Sequence, residues 1–324
     1  MKRILTWIKP TGNGMHLGNY LGAFKPFLEQ SEWKNPYIFI ADYHSLTSVH
    51  DGEILRNNKQ RLLAEYFSLL PDDSNAVVFE QSKVRRINDI SWILSSVTPY
   101  SLMLRAHSFK DAQNKNNEIN MATFNYPILM AADIISYDTD EVPVWKDQKQ
   151  HLEFARDIAG NFNRTYKTDF FKLPEPIISE ELMTIPGTDG RKMSKSYDNF
   201  IGIFDSEKIL KKKIMWIVTG SEGLEEPKDP ENCNVFALIK FFASIDRQNE
   251  IAAKYAAGNY GYGHAKLELL DILLEYFGPA RKKFTQFMEN PELLEEKISS
   301  GNIAANKLAD EKYEKLVKLV WLEK

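Results

Sequence analysis

The pattern of apolar residues changes partway along the chain, and this change limits the folds open to it. In the first part, short apolar runs alternate with amphipathic helical stretches, and four runs have the character of strands: Arg3–Lys9, Tyr37–Ala41, Ala76–Phe79 and Val142–Val144. Tyr37–Ala41 is apolar throughout, as expected of a strand buried on both faces. A strand–helix–strand order of this kind favours an α/β fold with a doubly wound, Rossmann-like parallel sheet.

From about Ser206 onward the strand patterns disappear, and the remaining stretches have helical periodicity. The shift predicts a boundary near Ile185–Gly190, a segment rich in proline and glycine. We therefore expect an α/β domain over residues 1–188 and an all-helical domain over residues 189–287.

Helical periodicity also predicts the elements of the C-terminal part. One helix is expected over Gly263–Met288, and two separate helices over Pro291–Ile298 and Asn306–Trp321. The terminal helical region, about 288–324, is expected to pack back on the α/β domain.

Composition excludes several classes of protein. With 43 % hydrophobic and 27 % charged residues in 324, the chain has the balance of a globular enzyme, and no apolar run approaches the roughly 18–20 residues that cross a bilayer. The single cysteine, Cys233, excludes internal disulfides and cysteine-based metal clusters and fits a cytoplasmic setting. Because the net charge is −4, binding to nucleic acid would have to use local basic patches.

The first motif with chemical content is Lys9–Tyr20, KPTGNGMHLGNY, between the first strand and the first helix. A helix N-terminus at this point offers free N–H groups and a positive dipole end to a phosphate. Gly12 and Gly18 permit a tight turn and close approach of a ligand, and His16 and Asn19 can donate hydrogen bonds. The alternative is an ordinary glycine-rich turn with a helix cap, which is common after strands.

The second motif is Gly190–Ser196, GRKMSKS. Two lysines on either side of a small polar turn can place cations on a polyphosphate. A solvated basic loop is the alternative for this stretch taken alone.

Taken together, the two motifs resemble the ATP-binding signatures of the class I aminoacyl-tRNA synthetases, and three further stretches resemble the tryptophan-specific members. These stretches are Thr123–Asp133 (TFNYPILMAAD), Val142–His151 (VPVWKDQKQH) and Gly258–Lys266 (GNYGYGHAK). The matches follow the family's order over nearly the whole chain. Trp7, Lys9, Trp145 and Lys146 depart from the residues that many members carry.

The resemblance implies a tryptophan–tRNA ligase, which activates tryptophan with ATP and transfers it to tRNA(Trp). It assigns catalysis to His16, Lys192 and Lys195. It assigns ATP binding to Lys9, Pro10, Thr11, Gly18, Asn19, Trp145, Lys146, Asp147, Leu182, Lys192, Met193, Ser194, Lys195 and Ser196. It assigns tryptophan binding to Asp133, Met130, Tyr126, Gln148 and His44. It further implies Mg²⁺ carried with ATP rather than in a protein site, an anticodon-binding helical domain and a homodimer.

Asp133 is the candidate for substrate specificity. A carboxylate within the apolar helix Met121–Ile135 needs a partner when it is buried, and an indole N–H, which only donates, would suit it. Met130, on the same face, can pack against an indole ring. The alternative is an Asp engaged in an ordinary ion pair.

Three other functions remain open at this point. A tyrosine-specific sister enzyme is the first, because a carboxylate also accepts from a phenol hydroxyl. A small-molecule adenylyltransferase is the second, although it would leave the second lysine motif without a role. A non-catalytic RNA-binding paralogue is the third. Three basic clusters are candidates to face tRNA: Lys83 with Arg85 and Arg86, Lys211–Lys213, and Arg281–Lys283.

Overall fold

A computed structural model describes residues 1–12, 14–106, 120–144, 149–178 and 185–321 of the chain. Its strands form one parallel sheet in the order β3-β2-β1-β4-β5. The strands are β1 (Arg3–Ile8), β2 (Asn35–Ile40), β3 (Val77–Glu80), β4 (Glu141–Val144) and β5 (Glu175–Ile178). The predicted doubly wound parallel sheet is confirmed.

Helices surround the sheet and make up the C-terminal part. Those of the α/β part are α1 (Leu17–Asn19), a π-helical turn (Tyr20–Phe24), α2 (Lys25–Ser31), α3 (Asp42–Ser45), α4 (Gly52–Leu69), α5 (Ile87–Ser95), α6 (Tyr100–Met103), α7 (Met121–Ile135) and α8 (Lys149–Tyr166). Those that follow are α9 (Glu207–Met215), α10 (Asn234–Phe242), α11 (Ile245–Ala257), α12 (Tyr262–Tyr276), α13 (Gly278–Glu289) and α14 (Pro291–Leu319). Among the helices described, none combines the length and apolar character that a membrane crossing requires.

The sheet is covered on both faces, because alternate residues of its strands enter two separate cores. Ile4, Ile38 and Ile40 belong to the core shared with α1–α4 and the C-terminal helices, whereas Leu5 and Phe39 belong to the core under α5, α7 and α8. This alternation explains why the central strands read as continuous apolar runs.

The order in which strands are added to the sheet reverses at β1: β2 and β3 lie on one side of it, and β4 and β5 lie on the other. In doubly wound sheets, ligands bind in the crevice at the carboxyl ends of the two strands that flank such a switch point. The fold therefore places a ligand crevice just after Ile8 and Val144, where the first glycine-rich motif begins.

Three features of the secondary structure differ from the sequence predictions. Strand β5 was not predicted; it contains Pro176, whose missing N–H costs nothing at a sheet edge. The helix predicted over Gly263–Met288 is two helices, and the second begins at Gly278-Pro279. The two helices predicted at the C-terminal end are one continuous helix, α14.

Helix α14 continues through Ser299-Ser300-Gly301 because it lies directly on β3. A Cβ atom at Gly301 would lie 1.8 Å from the carbonyl oxygen of Val78, so glycine allows an approach that no other residue permits. One residue later, the Asn302 side chain accepts the Glu80 N–H at 2.9 Å and donates to the Glu80 carboxylate at 3.1 Å. One turn further on, Asn306 accepts the Arg85 N–H and donates to the Lys83 carbonyl. The helix thus fixes the end of β3 and the turn that follows it.

This packing predicts opposite effects for two Gly→Ala substitutions. Gly301→Ala should lower the free energy of unfolding by about 1–3 kcal/mol, because the methyl group forces α14 away from β3. Gly263→Ala, in a helix with open space around the site, should raise it by about 0.5–1 kcal/mol. Urea unfolding of both variants measures the difference; a stabilising Gly301→Ala would contradict the close packing.

Candidate active site

The two motifs predicted to bind ATP meet at the carboxyl end of β1. Main-chain hydrogen bonds join the first motif to the segment just after the second: Leu17 N–H donates to the Ile201 carbonyl at 2.9 Å, and Ile203 N–H donates to the Met15 carbonyl at 3.1 Å. A third contact links the Gly18 N–H to Met193 Sδ at 3.3 Å. The fold thus brings together two segments that are far apart in sequence.

Lys195 crosses from the second motif to the first. Its Nζ donates to the carbonyl of Gly12 at 2.8 Å, and burial lowers the pKa of its ammonium group while the Glu65 carboxylate acts in the opposite direction. Lys192, by contrast, is exposed at the surface of the same loop. Lys195, a predicted phosphate-binding lysine, is thus held over the glycine-rich turn.

His16 begins α1 as its N-cap residue and is buried. Its Nδ1 accepts the Asn19 N–H at 3.2 Å, so the proton of a neutral ring lies on Nε2. Burial lowers the pKa of His16 to about 4, and the positive charges of Lys195 and Lys213 contribute. At neutral pH the imidazole is therefore uncharged, with Nε2–H available as a hydrogen-bond donor.

Glu65, which the sequence analysis did not single out, anchors the first motif. Its fully buried carboxylate accepts the Met15 N–H at 2.7 Å and pairs with Arg61 Nε at 2.9 Å. Gly14 lies against this carboxylate with φ +62°, and a Cβ there would come within 2.1 Å of a Glu65 oxygen. A signal was present in the sequence, because Glu65 lies inside the apolar run Leu62-Leu63-Ala64-Glu65-Tyr66.

Asn199 organises the second motif from beneath. Its buried side chain accepts the Ser194 N–H at 2.8 Å and donates to the Asp189 carboxylate at 2.7 Å and the Lys192 carbonyl at 3.1 Å. Ser194 in turn caps the short 3₁₀ turn Lys195–Tyr197 through the Ser196 N–H. The loop is therefore a built structure rather than a solvated basic run.

A cavity of about 260 Å³ lies beside the motifs at the predicted switch-point crevice. Its lining includes the ends of two strands and one face of the first helices: Trp7, Lys9, Asn19, Phe24, Pro143 and Val144. The Oδ1 atom of Asn19 is buried there without a hydrogen-bond partner among the described residues. A buried acceptor facing a cavity is suited to a ligand that brings a donor.

Lys9, Pro10 and Thr11 form the rim between β1 and the glycine-rich turn. Lys9 Nζ donates to Thr47 Oγ1 at 3.4 Å, and Thr11 N–H donates to the Lys9 carbonyl at 2.9 Å. Pro10 is buried, whereas Lys9 and Thr11 are exposed.

The residues of α7 that are predicted to bind tryptophan share one face of that helix. Tyr126, Met130 and Asp133 recur at helical spacing, and Met130 and Asp133 are buried. His44, on α3, donates through Nε2 to Asp133 Oδ2 at 2.9 Å and lies edge-on to the Tyr126 ring. The structure therefore places four of the residues that are predicted to bind tryptophan in one cluster.

Gln81, which the sequence analysis did not single out either, completes this cluster. Its Nε2 donates to the same Asp133 Oδ2 at 2.7 Å. Burial raises the pKa of Asp133, and the hydrogen bonds from His44 and Gln81 oppose that rise. No motif could have revealed Gln81, because an isolated glutamine after a strand carries no periodic signal.

Several predicted residues lie outside the described part of the chain. Trp145, Lys146, Asp147 and Leu182, predicted for ATP, and Gln148, predicted for tryptophan, belong to residues 145–148 and 179–184. The sequence also predicts a loop over Arg105–Asn117, because this stretch has few apolar residues, and most of it lies outside the described part as well.

Some of the predicted tRNA-facing cations form ion pairs or hydrogen bonds with other residues of the chain. Arg85 and Arg86 both pair with Asp310 of α14, and Arg281 donates to the carbonyls of Ile203 and Asp205. Lys213 pairs with Asp205 and Lys283 pairs with Asp72. These intramolecular contacts give some cations of each cluster a structural role.

The fold and the paired motifs define a nucleotide-binding α/β enzyme, and comparison with known proteins identifies its class. The family model of class I tRNA synthetases for tryptophan and tyrosine matches residues 1–278. The chain belongs to this family.

The relatives distinguish between the two amino acids. The tryptophan–tRNA ligase of Fusobacterium nucleatum is 47 % identical over 322 residues, covering 99 % of this chain and 98 % of the relative. The crystal structure of Campylobacter jejuni tryptophanyl-tRNA synthetase complexed with ADP and tryptophan matches with a TM-score of 0.94 at 45 % identity, covering 98 % of this chain and 99 % of that one. The resemblance to the tryptophan-specific branch is confirmed.

The lowered pKa of His16 predicts a pH-dependent loss of stability. The unfolded imidazole binds a proton near its ordinary pKa of 6.5, whereas the folded one does so only at about 4, so acidification favours unfolding. Between about pH 7.5 and pH 5 this group should remove about 2 kcal/mol of stability. His16→Asn keeps a good helix cap and should lose that much less over the same interval, as measured by urea unfolding at both pH values. Equal pH dependence of the two proteins would contradict a neutral, buried imidazole.

Proposed function

We infer that this chain is a tryptophan–tRNA ligase that activates tryptophan with ATP and transfers it to tRNA(Trp). The observation that carries this function is the meeting of the two phosphate motifs at the sheet's switch point, together with the buried cluster of Asp133, His44 and Gln81. In the first step a carboxylate oxygen of tryptophan attacks the α-phosphorus of ATP, and pyrophosphate leaves with the electron pair of the broken P–O bond. In the second step a ribose hydroxyl of tRNA attacks the activated carbonyl, and AMP leaves.

The proposed phosphate-binding groups are His16, Lys192 and Lys195. Catalysis here requires charge stabilisation at fixed positions, because negative charge accumulates on the pyrophosphate as it leaves. Lys195 is already aligned over the glycine-rich turn through Gly12, and neutral His16 offers an Nε2–H donor from the start of α1. Lys192 is at the exposed end of the loop, where it can reach the outer phosphates.

The proposed ATP pocket uses the cavity beside these motifs. Asn19 offers its unpaired Oδ1 to an amino or hydroxyl donor of the nucleotide. The remaining proposed contacts come from the rim and the second motif: Lys9, Pro10, Thr11, Gly18, Met193, Ser194 and Ser196. Mg²⁺ would arrive bound to the ATP phosphates, where it would neutralise part of their charge.

The proposed tryptophan pocket lies on the face of α7 that carries Tyr126, Met130 and Asp133. Both hydrogen bonds to Asp133 from described residues fall on Oδ2, which leaves Oδ1 to accept the indole N–H. Met130 would pack against the ring, and His44 and Tyr126 would bound the pocket from the side.

A homodimer, a cytoplasmic setting and the two-domain division of the chain stay predictions. An exposed aromatic cluster supports the first. Trp92 and Tyr100 are 80 % and 68 % exposed and line one surface groove with Phe124. Large exposed aromatic groups in one patch are typical of an interface with another protein surface.

Lys195→Ala should slow tryptophan activation far more than it weakens ATP binding, because its charge matters most as pyrophosphate leaves. The expected loss in the activation rate is roughly 10²–10³-fold, the usual effect of removing one preorganised electrostatic contact. Single-turnover activation and equilibrium ATP binding measure the two effects. Lys208→Ala, on the exposed surface of α9, provides the matched loss of one lysine and should leave both unchanged. A Lys195→Ala variant with a normal rate would reduce the loop to a structural role.

The role of Asp133 is tested by a double-mutant cycle in which one change is made in the protein and the other in the substrate. Tryptophan should lose roughly one to two orders of magnitude in kcat/KM with Asp133→Ala, because a hydrogen bond to a charged group contributes about 1.5–3 kcal/mol. An analogue with sulfur in place of the indole nitrogen has no donor, so the natural enzyme should use it poorly and the substitution should affect it little. ATP–pyrophosphate exchange with both substrates on both enzymes gives the coupling.

Additive effects in that cycle would show that Asp133 does not bind the indole nitrogen. Exchange with tyrosine in place of tryptophan would favour the sister enzyme. Exchange with neither amino acid would overturn the proposed function itself.

A further inference from the structure

We propose that Gln81 is a positioning residue for substrate specificity: it holds the Asp133 carboxylate in the orientation that presents Oδ1 to the indole N–H. The proposal rests on the proposed function of the pocket, and it assigns a role to a residue that does not itself touch the substrate. It follows from the hydrogen bonds that the oxygen and the nitrogen of the Gln81 side-chain amide form.

The orientation of the Gln81 amide is fixed by main-chain donors. Its Oε1 accepts the N–H of Tyr43 at 3.0 Å and lies 3.4 Å from the N–H of His44. Since these groups can only donate, the oxygen must face them, and Nε2 must face Asp133. The side chain is 1 % exposed, so water cannot substitute for either set of bonds.

Asp133 Oδ2 therefore receives two donors, Gln81 Nε2 at 2.7 Å and His44 Nε2 at 2.9 Å. Two donors occupy the lone pairs of one carboxylate oxygen, so a third donor must go to Oδ1. They also favour the ionised carboxylate, against the effect of burial. The pair of bonds thus fixes both the charge and the direction of the group that would bind the indole nitrogen.

The segment that carries Gln81 is itself held at both ends. Asn302 binds Glu80 on its N-terminal side, and Asn306 binds Lys83 and Arg85 on its C-terminal side. Ser82, the next residue, donates to Asp42 through both its N–H and its hydroxyl, and Asp42 lies in the same short helix as His44. Gln81 consequently has little freedom to follow a displaced Asp133, as a positioning residue requires.

The test uses Gln81→Glu, which keeps the size of the side chain and an acceptor for the main-chain N–H groups. At about pH 8 its second oxygen would meet Asp133 Oδ2 without a proton, so Asp133 should turn or neutralise. The KM for tryptophan should rise roughly ten- to hundredfold, while the sulfur analogue and ATP should be little affected. A purely structural role would raise the KM of tryptophan and analogue alike.

The pH profile gives a second, independent readout. On acidification a proton shared by the introduced carboxylate and Asp133 restores a donor at the position of the natural amide. The KM of the variant for tryptophan should therefore fall towards the natural value as pH is lowered, whereas that of the natural enzyme should not improve. The ionisable groups that face this pair are Asp42 and His44 of α3, Lys59 of α4, Glu80 of β3 and Tyr137 after α7.

Two further variants keep the outcome interpretable. Gln81→Asn retains an amide but is one methylene shorter and cannot bind both Asp133 and the main chain; it should show the same selective loss without recovery at low pH. Gln248→Glu is the matched control, because Gln248 donates to the carbonyls of Lys240 and Ala243 in the helical part. It should leave the ratio of tryptophan to analogue unchanged.

The proposal is overturned if Gln81→Glu or Gln81→Asn affects tryptophan and the sulfur analogue equally, or affects neither. It is also overturned if the KM of Gln81→Glu for tryptophan rises on acidification. These results are separable from failure of the proposed function, which would appear as absence of tryptophan-dependent exchange in the natural enzyme.

Discussion

Hydrogen bonds between residues 15–17 and 201–203 join the glycine-rich turn to the segment that follows the lysine loop, and the relative position of the two motifs depends on that pairing. Main-chain groups make the bonds, so the distance between the two loops does not depend on flexible side chains. Lys195 can then cross a short gap to Gly12, and Met193 can lie against Gly18. Glu65 from one side and Asn199 from the other hold each loop in place. An active site for phosphate transfer needs this rigidity, because it works mainly by fixed charge.

Burial disfavours the charged form of both His16 and Asp133, but the protein responds differently to the two groups. Around the phosphates it removes charge from His16 and leaves a neutral donor beside a lysine, which limits repulsion before ATP arrives. Around the amino acid it acts against the charge of Asp133, and the protein opposes it with two donors on a single oxygen. The surroundings of His16 thus suit a ligand that brings negative charge, and those of Asp133 suit one that brings a donor, as the proposed function requires.

The sequence was sufficient for the fold class, and it marked the two motifs that the fold brings together, because those signals are local. Strand periodicity, a glycine-rich turn after β1 and a lysine loop are each read within about a dozen residues. Residues that act through distant partners were missed: Glu65 and Gln81 gain their meaning only when Met15 and Asp133 lie beside them. The two errors in the helical part have different causes. The break at Gly278-Pro279 falls at a proline, which is tolerated in the first turn of a helix but not in its interior. The continuity of α14 through Gly301 depends on the contact with β3, which lies far away in sequence.

The contact of α14 with β3 has a consequence for the folding of the chain during its synthesis. Asn302 and the strand end that it binds are 222 residues apart, so the ribosome completes the sheet long before it supplies the side chain that secures the sheet's outer turn. The nascent chain can form its parallel strands early, but the turn that carries Gln81 has to wait for residues 302 and 306. Until those residues emerge, the growing polypeptide lacks the contacts that hold the segment around Gln81.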